Sequence, residues 1–240
     1  MAFRNLILVF ACCLIYHVGM TQIMSVQGAA LLEKSKQAHD PDQLWETLSY
    51  ELYLQEPRIG NPTRYSEVKL NNTTGAFELK RNRDEHVSTH LIDEEGTATV
   101  LLNGEPVEED ALIEKYRLYP DRNAAYRQFY QLMLGLPMSL DGSLVKTVSN
   151  PTKTTFNRQD ALAIPVTLRE SIISDRWILY LDLPTSRLLG MDLLSDDPEN
   201  LGERIVFDSE FDLNGLMVPR IRTWYDLKTK GYLGSDILIK

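Results

Sequence analysis

The stretch Asp175–Ser195, DRWILYLDLPTSRLLGMDLLS, limits the fold of this 240-residue chain more than any other. It reads as two strands joined by a Pro-Thr-Ser-Arg turn. Side chains alternate across a strand, so Trp177, Leu179, Leu181 and Leu183 share one face, and Ile178, Tyr180 and Asp182 the other. On the second strand Leu189, Met191 and Leu193 fall together, with Leu188 and Leu194 opposite. Each strand is thus apolar on one face and partly apolar on the other. A sheet with one wet face alternates more cleanly. Its second side must be covered by helices, by the sheet curling on itself, or by a ligand.

The flanking sequence supplies more strands. Leu48, Tyr50, Leu52 and Leu54 alternate with Ser49, Glu51, Tyr53 and Gln55. Tyr65–Leu70 follows, then a strand opening with Phe77, Leu79 and Arg81, one carrying Val87, Thr89 and Leu91, and Thr97–Leu102. Turn residues separate them: Pro57, Gly60 and Pro62, then Asn71–Gly75, then Asn103-Gly104. The first half is therefore a meander of antiparallel neighbours. Strands resume at Leu144–Ser149, Thr152–Asn157 and Ala161–Glu170. After the central hairpin, Ile205–Asp212 leads through Asn214-Gly215 to Val218–Leu227, where Pro219 marks a bulge or an edge.

Helical patterns interrupt the strands. Ser25–Ala38 has helical character. Asp40-Pro41-Asp42-Gln43 restarts a short helix, with Asp40 as cap, Pro41 at the first helical position and Trp45 as anchor. Asp121 can cap a longer helix through AAYRQFYQLMLGL, ended by Gly135 and Pro137. That helix is apolar almost all round, so it is buried or covers an apolar opening. The expectation is one domain, residues 22–240, of about ten strands and two or three helices.

Residues 1–21 read as an export signal: Arg4, then apolar Leu6–Val18, then Gly19-Met20-Thr21 ahead of a cut before Gln22. The apolar run is short for a spanning helix, so the processed chain is not expected to cross a membrane. Both cysteines, Cys12 and Cys13, lie in this segment. The mature chain would carry no disulfide framework, cysteine nucleophile or thiolate metal site. Ala11-Cys12 is similar to the end of a lipidation box, but Phe10 fits poorly before it. Formal charge is −9 for the whole chain; without Arg4, 24 basic residues face 34 acidic ones and it becomes −10. Nucleic acid and anionic membrane surfaces are therefore unfavourable as main partners.

Four segments in order carry a family likeness: AHDPDQLWETLSYEL, FYQLMLGLPMSL, RWILYLDLPTSRLLGMDLL and FDLNGLMVPRIRTWYD. Their arrangement resembles the exported LolA-like lipoprotein-carrier superfamily, most closely its uncharacterised cell-envelope members. The resemblance implies an α+β fold: a strongly curved antiparallel sheet, a half-barrel, with helices covering its concave mouth. It also implies a periplasmic or envelope location and an apolar concavity able to hold an acyl chain. No universal catalytic residue comes with it.

The chemistry-bearing residues point the same way. His86 and His90 lie four residues apart on a strand, about 13 Å, too far to share one metal ion. The acidic groups Asp93–Glu95, Glu108–Asp110 and Asp196–Glu199 lack the spacing of a calcium loop and sit at turns. No nucleophile elbow, phosphate loop or dinucleotide fingerprint is present in the sequence. We therefore expect no catalytic residue, metal or cofactor. The expected ligand cavity is lined by Phe129, Tyr130, Met133, Trp177, Leu179, Leu181 and Trp224. The expected partner is a lipid or lipoprotein acyl chain. Two other readings stay open: a filled-core module meeting an envelope protein, and a hydrolase with carboxylates or histidines in a polar cleft.

Overall fold

The computed structural model describes residues 25–239. The expected export segment 1–21, with Cys12 and Cys13, lies outside them. Helix α1 (Val26–His39) comes first and buries Gly28, Leu32, Ser35 and His39, a stripe at helical spacing. Ser25 caps it by accepting the Gly28 N–H. Asp40 accepts the N–H groups of Leu44 and Trp45 at 2.8 and 2.9 Å. The restart it caps is only a 3-10 turn, Trp45–Thr47, so Pro41 sits outside any helix.

The first meander holds β1 (Ser49–Arg58), β2 (Asn61–Asn71), β3 (Phe77–Arg83), β4 (His86–Ile92) and β5 (Ala98–Leu102). Helices α2 (Asp110–Tyr116) and α3 (Arg122–Leu134) follow. The second run is β6 (Val145–Val148), β7 (Thr152–Phe156), β8 (Gln159–Leu168), β9 (Arg176–Asp182), β10 (Leu188–Leu194), β11 (Gly202–Leu213), β12 (Leu216–Asp226) and β13 (Tyr232–Leu238). All thirteen join one antiparallel sheet in the order β5-β4-β3-β2-β1-β13-β12-β11-β10-β9-β8-β6, with β7 also on β8. The sheet is curved and not closed; its ends are β5 and the β6–β7 side. Asn103-Gly104 and Asn214-Gly215 make the expected turns, all four residues having positive φ.

Further details of the sequence reading differ from the structure. The last strand, β13, is absent from the sequence reading, yet it joins β1 to β12 and so links the two meanders. A bulge between Leu188 and Gly190 reverses the expected faces, putting Leu188 inward with Met191 and Leu193 and Leu189 outward. Leu183 lies past the end of β9 and is exposed, because Asp182 turns the chain by binding Thr185. Asp121 offers no side-chain bond to α3, since its backbone is already helical. Pro219 falls beyond the last β12–β13 pair, Ile221–Ile237, so β12 is locally an edge there.

The inner face of the sheet carries two cores. Under α1 and the end of α3, Leu32, Leu132 and Met133 meet Ile164, Leu179 and Met191. Under the other side of α3, Tyr130 and Leu134 meet Leu52, Val68 and Leu79. Phe129 packs against both. Trp45 packs so closely on Gly135 that a Cβ there would sit 2.1 Å from its ring. The outer face of the central hairpin is covered by Phe156 stacked on Tyr180, beside an Arg204–Asp192 ion pair at 2.7 Å.

Candidate ligand-binding cleft

Inward parity explains where the polar groups of the concavity lie. On β1 the inward set runs Tyr50, Leu52, Leu54, Glu56; on β3 it runs Phe77, Leu79, Arg81. Each strand is apolar at one end of the concavity and polar at the other. Antiparallel pairing sets Leu54 opposite Ser66, Glu56 opposite Arg64 and Ser66 opposite Arg81, so the polar ends line up as a belt. Strand β13 extends it with Asp236, which lies opposite Arg222 of β12.

The belt consists of two hydrogen-bonded groups, which meet where Arg58 lies 4.0 Å from Glu56. Arg81 donates to the Tyr130 hydroxyl on α3 and, at 3.0 Å, to Ser66. Ser66 donates to Glu56, which also accepts two bonds from Arg64 at 2.9 and 2.8 Å. Arg58 donates to Asp236, whose second oxygen accepts the Trp224 indole N–H at 2.8 Å. Burial alone would raise the pKa of Glu56. Bonds from Arg64 and Ser66, with the charges of Arg81 and Arg64, outweigh that and hold it below its ordinary value. Burial pushes the Tyr130 hydroxyl up. Glu56 is thus a fixed counter-ion, and Tyr130 a neutral donor or acceptor.

Beside this belt a cleft of about 390 Å³ opens between the two cores. That falls in the range of about 300–1,000 Å³ for small-molecule pockets. Phe129 and Tyr130 form one wall and Trp224 another. Ile173 and Leu233 stand at its mouth, 42% and 37% exposed. Glu203 also lines it, its pKa raised by burial and then by the charge of Asp226. Behind Asp236 lies Arg222, 1% exposed, with no hydrogen-bond partner for any guanidinium nitrogen. Burial lowers its pKa to about 10.

The structure brings Phe129, Tyr130 and Trp224 of the sequence-based cavity set together at this cleft. It places Met133, Trp177, Leu179 and Leu181, each 2% exposed or less, inside the packed core beneath α1. Glu56, Arg58, Arg64 and Asp236 were not in that set. Their signal was parity: Glu56 continues the inward series of Leu52 and Leu54.

The three described histidines are each engaged separately. His39 accepts the Leu188 N–H at 2.9 Å through Nε2, and its Nδ1 lies 2.7 Å from the Met217 carbonyl. It is therefore the neutral Nδ1–H tautomer, pinning α1 to β10 and β12. His90 is buried against Asn123 at 2.8 Å, and His86 pairs with Asn103 at 2.8 Å.

A curved, open antiparallel sheet wrapped on helices, with a cleft along one of them, defines the LolA-like fold class. The chain belongs to a family of unknown function (DUF6503), whose model matches residues 4–240. Among solved structures it is similar to a domain named for outer membrane lipoprotein sorting from Vibrio parahaemolyticus: 12% identity, TM-score 0.51, covering 87% of this chain and 90% of that one. A LolA superfamily protein from Nitrosomonas europaea gives 9% identity and TM-score 0.49, covering 90% and 93%. A DUF1329 family protein from Desulfovibrio piger gives 10% and 0.44, covering 88% and 91%. At these identities the likeness is one of fold alone. No curated protein matches the sequence.

Proposed function

We propose that this is an exported, non-enzymatic binding protein of the periplasm or cell envelope, a single domain over residues 22–240, that holds an acyl chain beneath α3. One observation carries the reading: the 390 Å³ cleft is walled by Phe129, Tyr130 and Trp224, and exposed apolar Ile173 and Leu233 flank its entrance. Burying an acyl chain there is favourable by about 25 cal/mol for each Å² removed from water, before ordering costs. The fold neighbour named for lipoprotein sorting supports the class of ligand and the location. Among the described residues no helix is long and apolar enough to cross a membrane. Two of the belt's carboxylates, Glu56 and Asp236, are held as counter-ions by Arg64 and Arg58, which weighs against a hydrolytic role for them.

Native mass spectrometry of the gently purified chain should show added mass in the range of a lipid. A fluorescent acyl probe should bind and should lose at least about ten-fold in affinity in the Trp224→Ala variant, since an aromatic wall buries a large area. No co-purified lipid together with no probe binding overturns the reading.

A further inference from the structure

The cleft does not end at the belt. It shares Arg58, Arg64 and Leu233 with a second, outer cavity of about 550 Å³. That vestibule lies between the β1–β2 turn, the β3–β4 turn and α2. Its walls add Arg83 and Lys115, with Asp84 the one acidic group there.

The cations of the vestibule differ in their commitments. Arg64 is bound to Glu56 and Arg58 to Asp236. Lys115 lies 3.6 Å from Asp84 at the surface. Arg83 is half-buried, and among the described residues no carboxylate pairs with it and its Nε finds no partner. Burial, and then the neighbouring charges of Arg81 and Arg64, disfavour its charge. Across the belt and the vestibule, Arg58, Arg64, Arg81, Arg83, Lys115 and buried Arg222 face Glu56, Asp84, Glu203 and Asp236. Cation is in excess here although the whole chain carries −9. A half-buried cation among like charges is stabilised by an anion that completes its hydrogen bonds.

We propose that the ligand is an anionic amphiphile, its chain in the cleft against Phe129 and Trp224 and its acid group in the vestibule on Arg83. The proposal rests on the acyl-chain reading above and adds the charge of the head group. A carboxylate or a phosphate monoester supplies the same chemistry: a compact anion on a single chain. Arg58 and Arg64 guide the acid group past the belt while staying paired.

The test is calorimetric titration of the full processed chain, below micelle-forming concentrations, with decanoate, decyl phosphate, decanol and inorganic phosphate. The acids should bind at least about ten-fold tighter than decanol, the scale of one charge-assisted hydrogen bond. That ratio should shrink as salt rises. Arg83→Gln should cut the acid-to-alcohol ratio at least about five-fold, and Arg83→Lys, which keeps an ammonium donor but not the planar fork, should restore part of it. Lys115→Gln, at an exposed site, should lower the ratio less and covers the case that Arg83→Gln fails to fold. Decanol binding as tightly as the acids overturns the anionic head group and leaves the acyl cleft standing. Binding of none of the three chains overturns the acyl reading itself. Inorganic phosphate binding as tightly as decyl phosphate assigns the vestibule to a free anion and overturns the amphiphile.

Discussion

Two regions of one concave face are filled in different ways. Beneath α1, strands β8 to β10 present Ile164, Trp177, Leu179 and Met191, each at most 1% exposed, to apolar helix side chains. At the far end of β1 to β3 the same inward parity presents Glu56, Ser66 and Arg81, each buried and each hydrogen-bonded. The first region is closed by packing. The second is closed by an ionic relay that stops short of filling the space, and the cleft opens beside it. A hydrophobic core excludes water without direction, whereas a charged relay needs fixed partners and keeps its geometry when nothing else occupies the site. The contrast separates a rigid support from a shaped opening on one sheet.

The largest test of this contrast removes a charge from the relay. Glu56→Ala leaves Arg64 and Arg81 without their carboxylate and should cost about 3–5 kcal/mol, as for other broken buried pairs. Chemical denaturation measures it; a loss under about 1 kcal/mol would mean the belt is solvated and the contrast is false. Leu179→Ala opens a hole in the packed region and should cost about 2–5 kcal/mol while leaving acyl-probe affinity unchanged. A loss of probe binding there would place the ligand in the packed region instead.

The smallest expected effect falls on the staple between α1 and the sheet. His39→Phe removes bonds to Leu188 and Met217 and should cost about 1–3 kcal/mol at neutral pH. It should also flatten the acid limb of the stability profile. Burial holds His39 and His90 below their ordinary value of 6.5. The unfolded chain therefore binds protons that the folded one does not, and stability falls as pH drops beneath 6.5. Glu56, held below 4.5, adds a further loss as pH falls beneath 4.5 and toward its folded value. Thermal melts from pH 7.5 down to about 2.5 read both steps, and an unchanged acid limb in the His39 variant would remove that residue from the account.

Much of the fold was legible because alternation is local. Leu48 to Leu54, Phe77 and Leu79, and Trp177 to Leu181 all bury the side the sequence assigns to them. The Asn-Gly turns followed from backbone chemistry alone. Leu189 was misplaced because one bulged residue reverses parity, and Gly190, which stands at that bulge with a φ of 158°, is the residue type that marks it. Strand β13 escaped because Gly231 and Gly234 break the apolar pattern around it. Gly234 is there for a close approach: a Cβ would lie 2.5 Å from Arg58. The cleft was legible only in its aromatic part. Its charged wall pairs Arg58 with Asp236 across 178 residues and Arg81 with Tyr130 across 49.

The sequence by itself determined most of the strands and helices, which face of β1, β3 and β9 is buried, and that the faces are too apolar to be left in water. Those properties depend on neighbours a few residues away, whose geometry the backbone dictates. Only the tertiary structure decided that the inward face is packed solid under α1 and left open beside the relay. That outcome depends on sheet order and register, which bring side chains from distant strands to one place and set how much volume remains between them.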